Sequence, residues 1–96
     1  MNSAHILATL KSEREALSNL GVASLKLFGS AARDSAGPDS DADFLVKFSG
    51  APSYDAYMDL KFHLEDVLGI SIDLVTEDAL RPEIRQSVER DALLVA

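Results

Sequence analysis

Three aspartates and one glycine–serine pair are the residues of this sequence best suited to chemistry. Asp41 and Asp43 stand two apart at the start of an extended pattern, Asp41 or Ala42 to Phe48. Strand alternation sends both side chains to the same face. Two carboxylates so placed repel each other unless protonated or bridged by a cation. Oxygen-only donors suit a hard ion such as Mg²⁺ or Mn²⁺. Asp73 interrupts the apolar run Ile70-Ser71-Ile72-Asp73-Leu74-Val75. From a neighbouring strand it can join the other two as a third carboxylate. Gly29-Ser30 falls between a strand and a helical turn, where backbone N–H groups can meet phosphate oxygens. Ser30 adds a hydroxyl. Arg33, one turn on, either faces the same anion or stays a surface arginine. An isolated Asp-Ala-Asp is usually a solvated turn. It is the combination with Gly29-Ser30 that points to a phosphate site with a metal.

Other ion and phosphate motifs fail on spacing. Asp39, Asp41 and Asp43 match the first, third and fifth positions of an EF-hand. However, Phe44 falls where that loop requires glycine, and Gly50 where it requires glutamate. There is no Walker loop and no Gly-x-Gly-x-x-Gly. His5, near a terminus, and His63, within a helix, read as packing or solvated residues rather than metal ligands. Tyr54 and Tyr57 read as packing residues.

The elements that must position these residues are clearly punctuated. Ser3 to Leu20 reads as one helix, with Ile6, Leu7, Leu10, Leu17 and Leu20 close to one face and Gly21 as its stop. Lys11, Glu13, Arg14 and Glu15 are expected in solvent. Val22 to Phe28 reads as a strand with Leu25 and Leu27 on one side. Ser30 to Arg33 reads as a helical turn and Ser35 to Ser40, with Gly37-Pro38, as a loop. Ser53 is expected to cap a helix over Tyr54 to Leu68, ended by Gly69. Ile70 to Val75 reads as a third strand. Leu80 to Asp91 reads as a last helix with Pro82 in its first turn. Leu93 to Ala96 reads as a short strand or a packed tail. Asp55, Asp59, Glu65 and Asp66 read as the solvated or docking face of their helix. Alternating helices and strands predict a layered α/β domain around a small sheet.

Composition narrows the function classes. The 96 residues suffice for one domain, 1–96. The hydrophobic fraction of 47% supports a core. The absence of cysteine removes disulfides, thiolate zinc sites and cysteine nucleophiles. Sixteen acidic against nine basic residues give a net charge of −7, which disfavours duplex DNA and attracts cations or basic partners. No apolar run is long enough to span a membrane and no signal peptide is evident, so a cytoplasmic location is expected.

Gly29-Ser30, ten residues, then Asp41-Ala42-Asp43 is a pattern that resembles polymerase-beta-like nucleotidyltransferases. With Ile72-Asp73-Leu74-Val75 and the stretch from Leu80-Arg81-Pro82 onward, nearly the whole chain is similar to the minimal nucleotidyltransferase (MNT) family. The resemblance implies a small mixed β-sheet with helices packed on it. It implies that Gly29 and Ser30 hold the triphosphate of ATP, while Asp41 and Asp43 ligate metal and Asp73 is the third acidic residue. Two Mg²⁺ ions would serve the reaction. It further implies an antitoxin that transfers AMP from ATP to a tyrosine of a HEPN-type ribonuclease toxin. The alternative is an inactive antitoxin that neutralises by binding alone. Asp34 departs from the pattern, because many relatives have glycine after the arginine; it adds negative charge near the phosphate site.

Overall fold

A computed structural model describes residues 3–32, 41–51 and 53–95. The expected loop Ser35 to Ser40, together with Arg33 and Asp34, lies outside the described residues. Four strands form one mixed sheet: β1 (Val22–Phe28), β2 (Ala42–Phe48), β3 (Ile72–Thr76) and β4 (Leu93–Leu94), in the order β3-β2-β1-β4. β1 pairs antiparallel with both β2 and β4, whereas β2 and β3 run parallel. A parallel pair cannot be joined by a tight turn. Here α4 (Tyr54–Leu68) makes the crossover.

The helix α4 has the bounds expected of it because both ends carry a local signal. The Ala56 N–H donates to Ser53 Oγ at 3.1 Å, and Gly69 adopts φ +69° with its N–H donating to the Glu65 carbonyl. Leu60, Leu64 and Leu68 fall at i, i+4 and i+8 and are buried. They join Ile6, Leu10, Leu17, Leu25, Leu27, Phe44 and Leu74 in one core cluster. Tyr57 packs on that cluster, and its hydroxyl donates to the Leu74 carbonyl. Tyr54, expected to pack, is instead 76% exposed in the first turn of α4.

The N-terminal segment is two helices rather than one: α1 (Ser3–Lys11) and α2 (Arg14–Asn19). Ser12 Oγ donates to the Thr9 carbonyl at 2.6 Å, and the Glu13 N–H donates to the Leu10 carbonyl at 3.0 Å. Serine thereby competes with the helical ladder, and Glu13 leaves helical geometry at φ −100°, ψ 13°. The apolar stripe survives the break, since Leu10 and Leu17 are both buried. Glu13 is half-buried, not solvated, with Oε2 3.6 Å from His63 Nε2 on α4.

β3 starts at Ile72 instead of Ile70, because Gly69 ends α4 in the left-handed region and the next residues turn the chain. A 3-10 turn at Glu77–Ala79 separates it from α5 (Pro82–Asp91), which starts two residues later than expected. α5 packs beside β1 and the short α3 (Gly29–Ala32). Among the described residues no helix is long and apolar enough to cross a membrane.

Candidate active site

Strand register brings the predicted chemistry to one edge. Asp43 lies opposite Phe28 across the β1–β2 ladder and opposite Asp73 across the β2–β3 ladder. Gly29 follows Phe28 directly, so the β1–α3 junction lies against Asp43. The start of this edge is fixed from both sides. The Ala42 N–H donates to the Ser71 carbonyl at 3.1 Å, and the Ile72 N–H donates to Glu65 Oε2 at 3.3 Å. Glu65, expected among solvated carboxylates, is half-buried and holds β3 one residue before Asp73. No periodicity signals that role, because it depends on the path from α4 into β3.

The three aspartates differ in surroundings. Asp41 and Asp73 are exposed and Asp43 is half-buried. Burial, then the charges of Asp73 and Asp41, then a hydrogen bond with Asp73, push the Asp43 carboxyl above its ordinary value of 3.8. Each cause disfavours a second or third negative charge in a confined place. A cation placed there would relieve the strain that the fold builds in. The donor chemistry therefore fits Mg²⁺ or Mn²⁺. Among the described residues, however, no three acidic or histidine side chains are gathered into a ready ligand shell. Asp43 and Asp73 are paired, while Asp41 acts on Asp43 through its charge.

Gly29 has a double constraint. Its φ is +75°, and a Cβ added there would fall on Asp43 Oδ2 and lie 3.3 Å from Cγ. The sequence alone suggests that glycine leaves room for phosphate; the structure shows that it first leaves room for the Asp43 carboxylate. Ser30 follows it in α3. Arg33, expected near the same anion, lies outside the described residues.

A four-stranded mixed sheet with paired carboxylates beside a glycine turn defines a class, and the comparisons agree. The nucleotidyltransferase domain model matches residues 8–95. The chain belongs to that nucleotidyltransferase family, in its minimal branch. It is 36% identical over 83 residues to the protein adenylyltransferase MntA of Thermococcus cleftensis, covering 86% of this chain and 84% of that protein. A provisionally named protein adenylyltransferase of Methanocaldococcus jannaschii is 41% identical over 75 residues, covering 77% of this chain and 76% of that one. Among solved structures, one provisionally named as a minimal nucleotidyltransferase superposes with a TM-score of 0.85. It is 33% identical and covers 97% of this chain and 95% of its own. A toxin–antitoxin structure with AMP-PNP shares the fold at a TM-score of 0.74 and 20% identity, covering 91% of this chain and 72% of its own.

Proposed function

We propose that this chain is an antitoxin that transfers AMP from ATP to a tyrosine hydroxyl of a HEPN-type toxin, in a reaction dependent on Mg²⁺ or Mn²⁺. The observation that carries the reading is the register match of Asp43 with Asp73 beside Gly29. Relatives named protein adenylyltransferase support the transfer, and structural neighbours that are MNT–HEPN complexes support the partner.

Asp43 and Asp73, with Asp41, would hold the metal. Bound there, a divalent cation supplies charge neutralisation for the triphosphate and lowers the pKa of an attacking hydroxyl. Asp43 is half-buried, and its carboxylate occupies the space that a side chain at position 29 would take. Asp73 is exposed and accessible to an incoming hydroxyl, where its carboxylate can accept the proton. A phenol, with pKa about 10, needs such help at neutral pH. The Gly29-Ser30 turn and Arg33 are assigned to the phosphates of ATP, and the toxin brings its tyrosine to the site, where the phenol oxygen would bond to the α-phosphorus as the bond to the β-phosphate breaks and pyrophosphate leaves.

Neutralisation by binding alone is favoured by one observation: among the described residues no three acidic or histidine side chains are gathered into a ligand shell. Intact mass of a HEPN toxin, taken from the neighbouring gene, separates the two. Incubation with this chain, ATP and Mg²⁺ should add one or more adenylyl units, and Asp43→Asn or Asp73→Asn should abolish the gain. An unchanged toxin mass, with toxicity suppressed equally by wild type and both variants, would establish binding alone.

A further inference from the structure

A second feature lies away from the carboxylate edge and does not depend on the catalytic reading. A cleft of about 360 Å³ opens between the N-terminal helices and the sheet edge, lined by Leu7, Lys11, Arg14, Leu94 and Val95. No carboxylate side chain is among the described residues that line it. Lys11 and Arg14 are exposed and form no ion pair among the described residues, in a chain whose net charge is −7. Acidic residues are the commoner partners available here, so two cations that line the cleft without an ion pair among the described residues mark it as locally electropositive.

The β4 wall has a second property. β4 is an edge strand. The Val95 N–H bonds inward to the Leu25 carbonyl at 2.8 Å, and Leu94 pairs with Lys26. In an antiparallel ladder such bonds alternate, so the N–H and C=O of Leu94 face away from β1. Leu94 itself is 67% exposed. Outward backbone groups, an exposed leucine and two cations thus share one margin of the molecule.

We propose that this cleft docks an extended segment of a protein partner, acidic and apolar at alternating positions, which adds a strand to β4. Its backbone would pair with Leu94; alternation would set its apolar side chains on the exposed face of Leu94 and its carboxylates on the opposite, helix-covered face, against Lys11 and Arg14. A nucleic acid fits less well, since the chain as a whole repels phosphate backbones.

The probe is a fluorescein-labelled peptide of alternating valine and glutamate, followed by fluorescence anisotropy. Wild type should bind it saturably. Lys11→Glu combined with Arg14→Glu should weaken binding at least about tenfold, equivalent to about 1.4 kcal/mol. Both side chains are exposed, so circular dichroism should show an unchanged fold. The same peptide N-methylated at alternate amides should lose binding, because it cannot pair with Leu94. The proposal is overturned by any of four results: no saturable binding to wild type, equal binding to the charge-reversed variant, equal binding of the N-methylated peptide, or tighter binding of oligouridine RNA. Sedimentation that shows a wild-type dimer, dissociated by the charge reversal, would assign the cleft to a second copy and overturn it as well.

Discussion

On one face of the β2–β3 pair, Ala42, Phe44, Val46, Ile72 and Leu74 are all buried in the core. On the other, Asp43 stands beside Asp73 in the same ladder. The backbone is common to both faces, and alternation alone decides which side chains go where. The inner face follows the rule that apolar area leaves water. The outer edge sets like charges side by side, which opposes folding. A fold that keeps such a pair, and keeps a left-handed glycine against it, has the stability to do so from its inner face. Local choices that conflict with the general rules of folding concentrate where a protein does chemistry.

The sharpest way to test that division is to damage each face in turn. Phe44→Ala removes the largest of the fully buried side chains at the sheet centre. It should cost about 3–5 kcal/mol in urea unfolding. Gly29→Ala should cost about 1–2 kcal/mol for the positive φ. It should also displace the Asp43 carboxylate, so adenylyl transfer should be lost even where the variant remains folded. A folded Gly29→Ala variant with wild-type transfer would break the assigned contact between Gly29 and Asp43. Glu65 links the two faces, because its carboxylate on α4 holds the start of β3 beside Asp73. Glu65→Ala should cost about 1 kcal/mol, the ordinary worth of a hydrogen bond. Glu65→Gln keeps an acceptor and should cost less. Equal losses for both would mean that the charge, not the acceptor, matters.

Legibility followed the range of the signal. β1 and α4 begin and end at the expected residues, because Gly21, Gly29, Ser53 and Gly69 punctuate the chain at those points. The break between α1 and α2 was hidden because Leu10 and Leu17 lie on one stripe whether or not the helix is continuous. The hydroxyl of Ser12 decides the matter through a bond to Thr9 that periodicity does not encode. At the site, the carboxylates were visible as residue types out of place in their strands. That Asp43 pairs with Asp73 depends on the register between two strands, at residues thirty apart in the chain, and the roles of Gly29 and Glu65 depend on that register in turn. Residue type marked the candidates; only strand pairing shows which of them stand opposite each other.

The smallest expected effect is a slope rather than a loss. In the metal-free protein, the Asp43 carboxyl is held above its ordinary value of 3.8 by burial first and by the Asp73 and Asp41 charges next. Between 3.8 and that raised value, the folded chain binds more protons than the unfolded one. Stability therefore falls as pH rises through this window. Below 3.8 the carboxyl is protonated in both states and the cost vanishes; above the window it is fully present. Asp43→Asn cannot ionise, so its urea midpoint should lose this contribution to the slope, and at neutral pH the variant should be at least as stable as wild type. Adding Mg²⁺ should raise the melting temperature of wild type and leave Asp43→Asn nearly unchanged, since only the carboxylate set favours the bound ion. If metal-free wild type instead gains stability relative to Asp43→Asn as pH rises through the window, the outer edge is not a site of repulsion, and the contrast between the two faces of the ladder is lost.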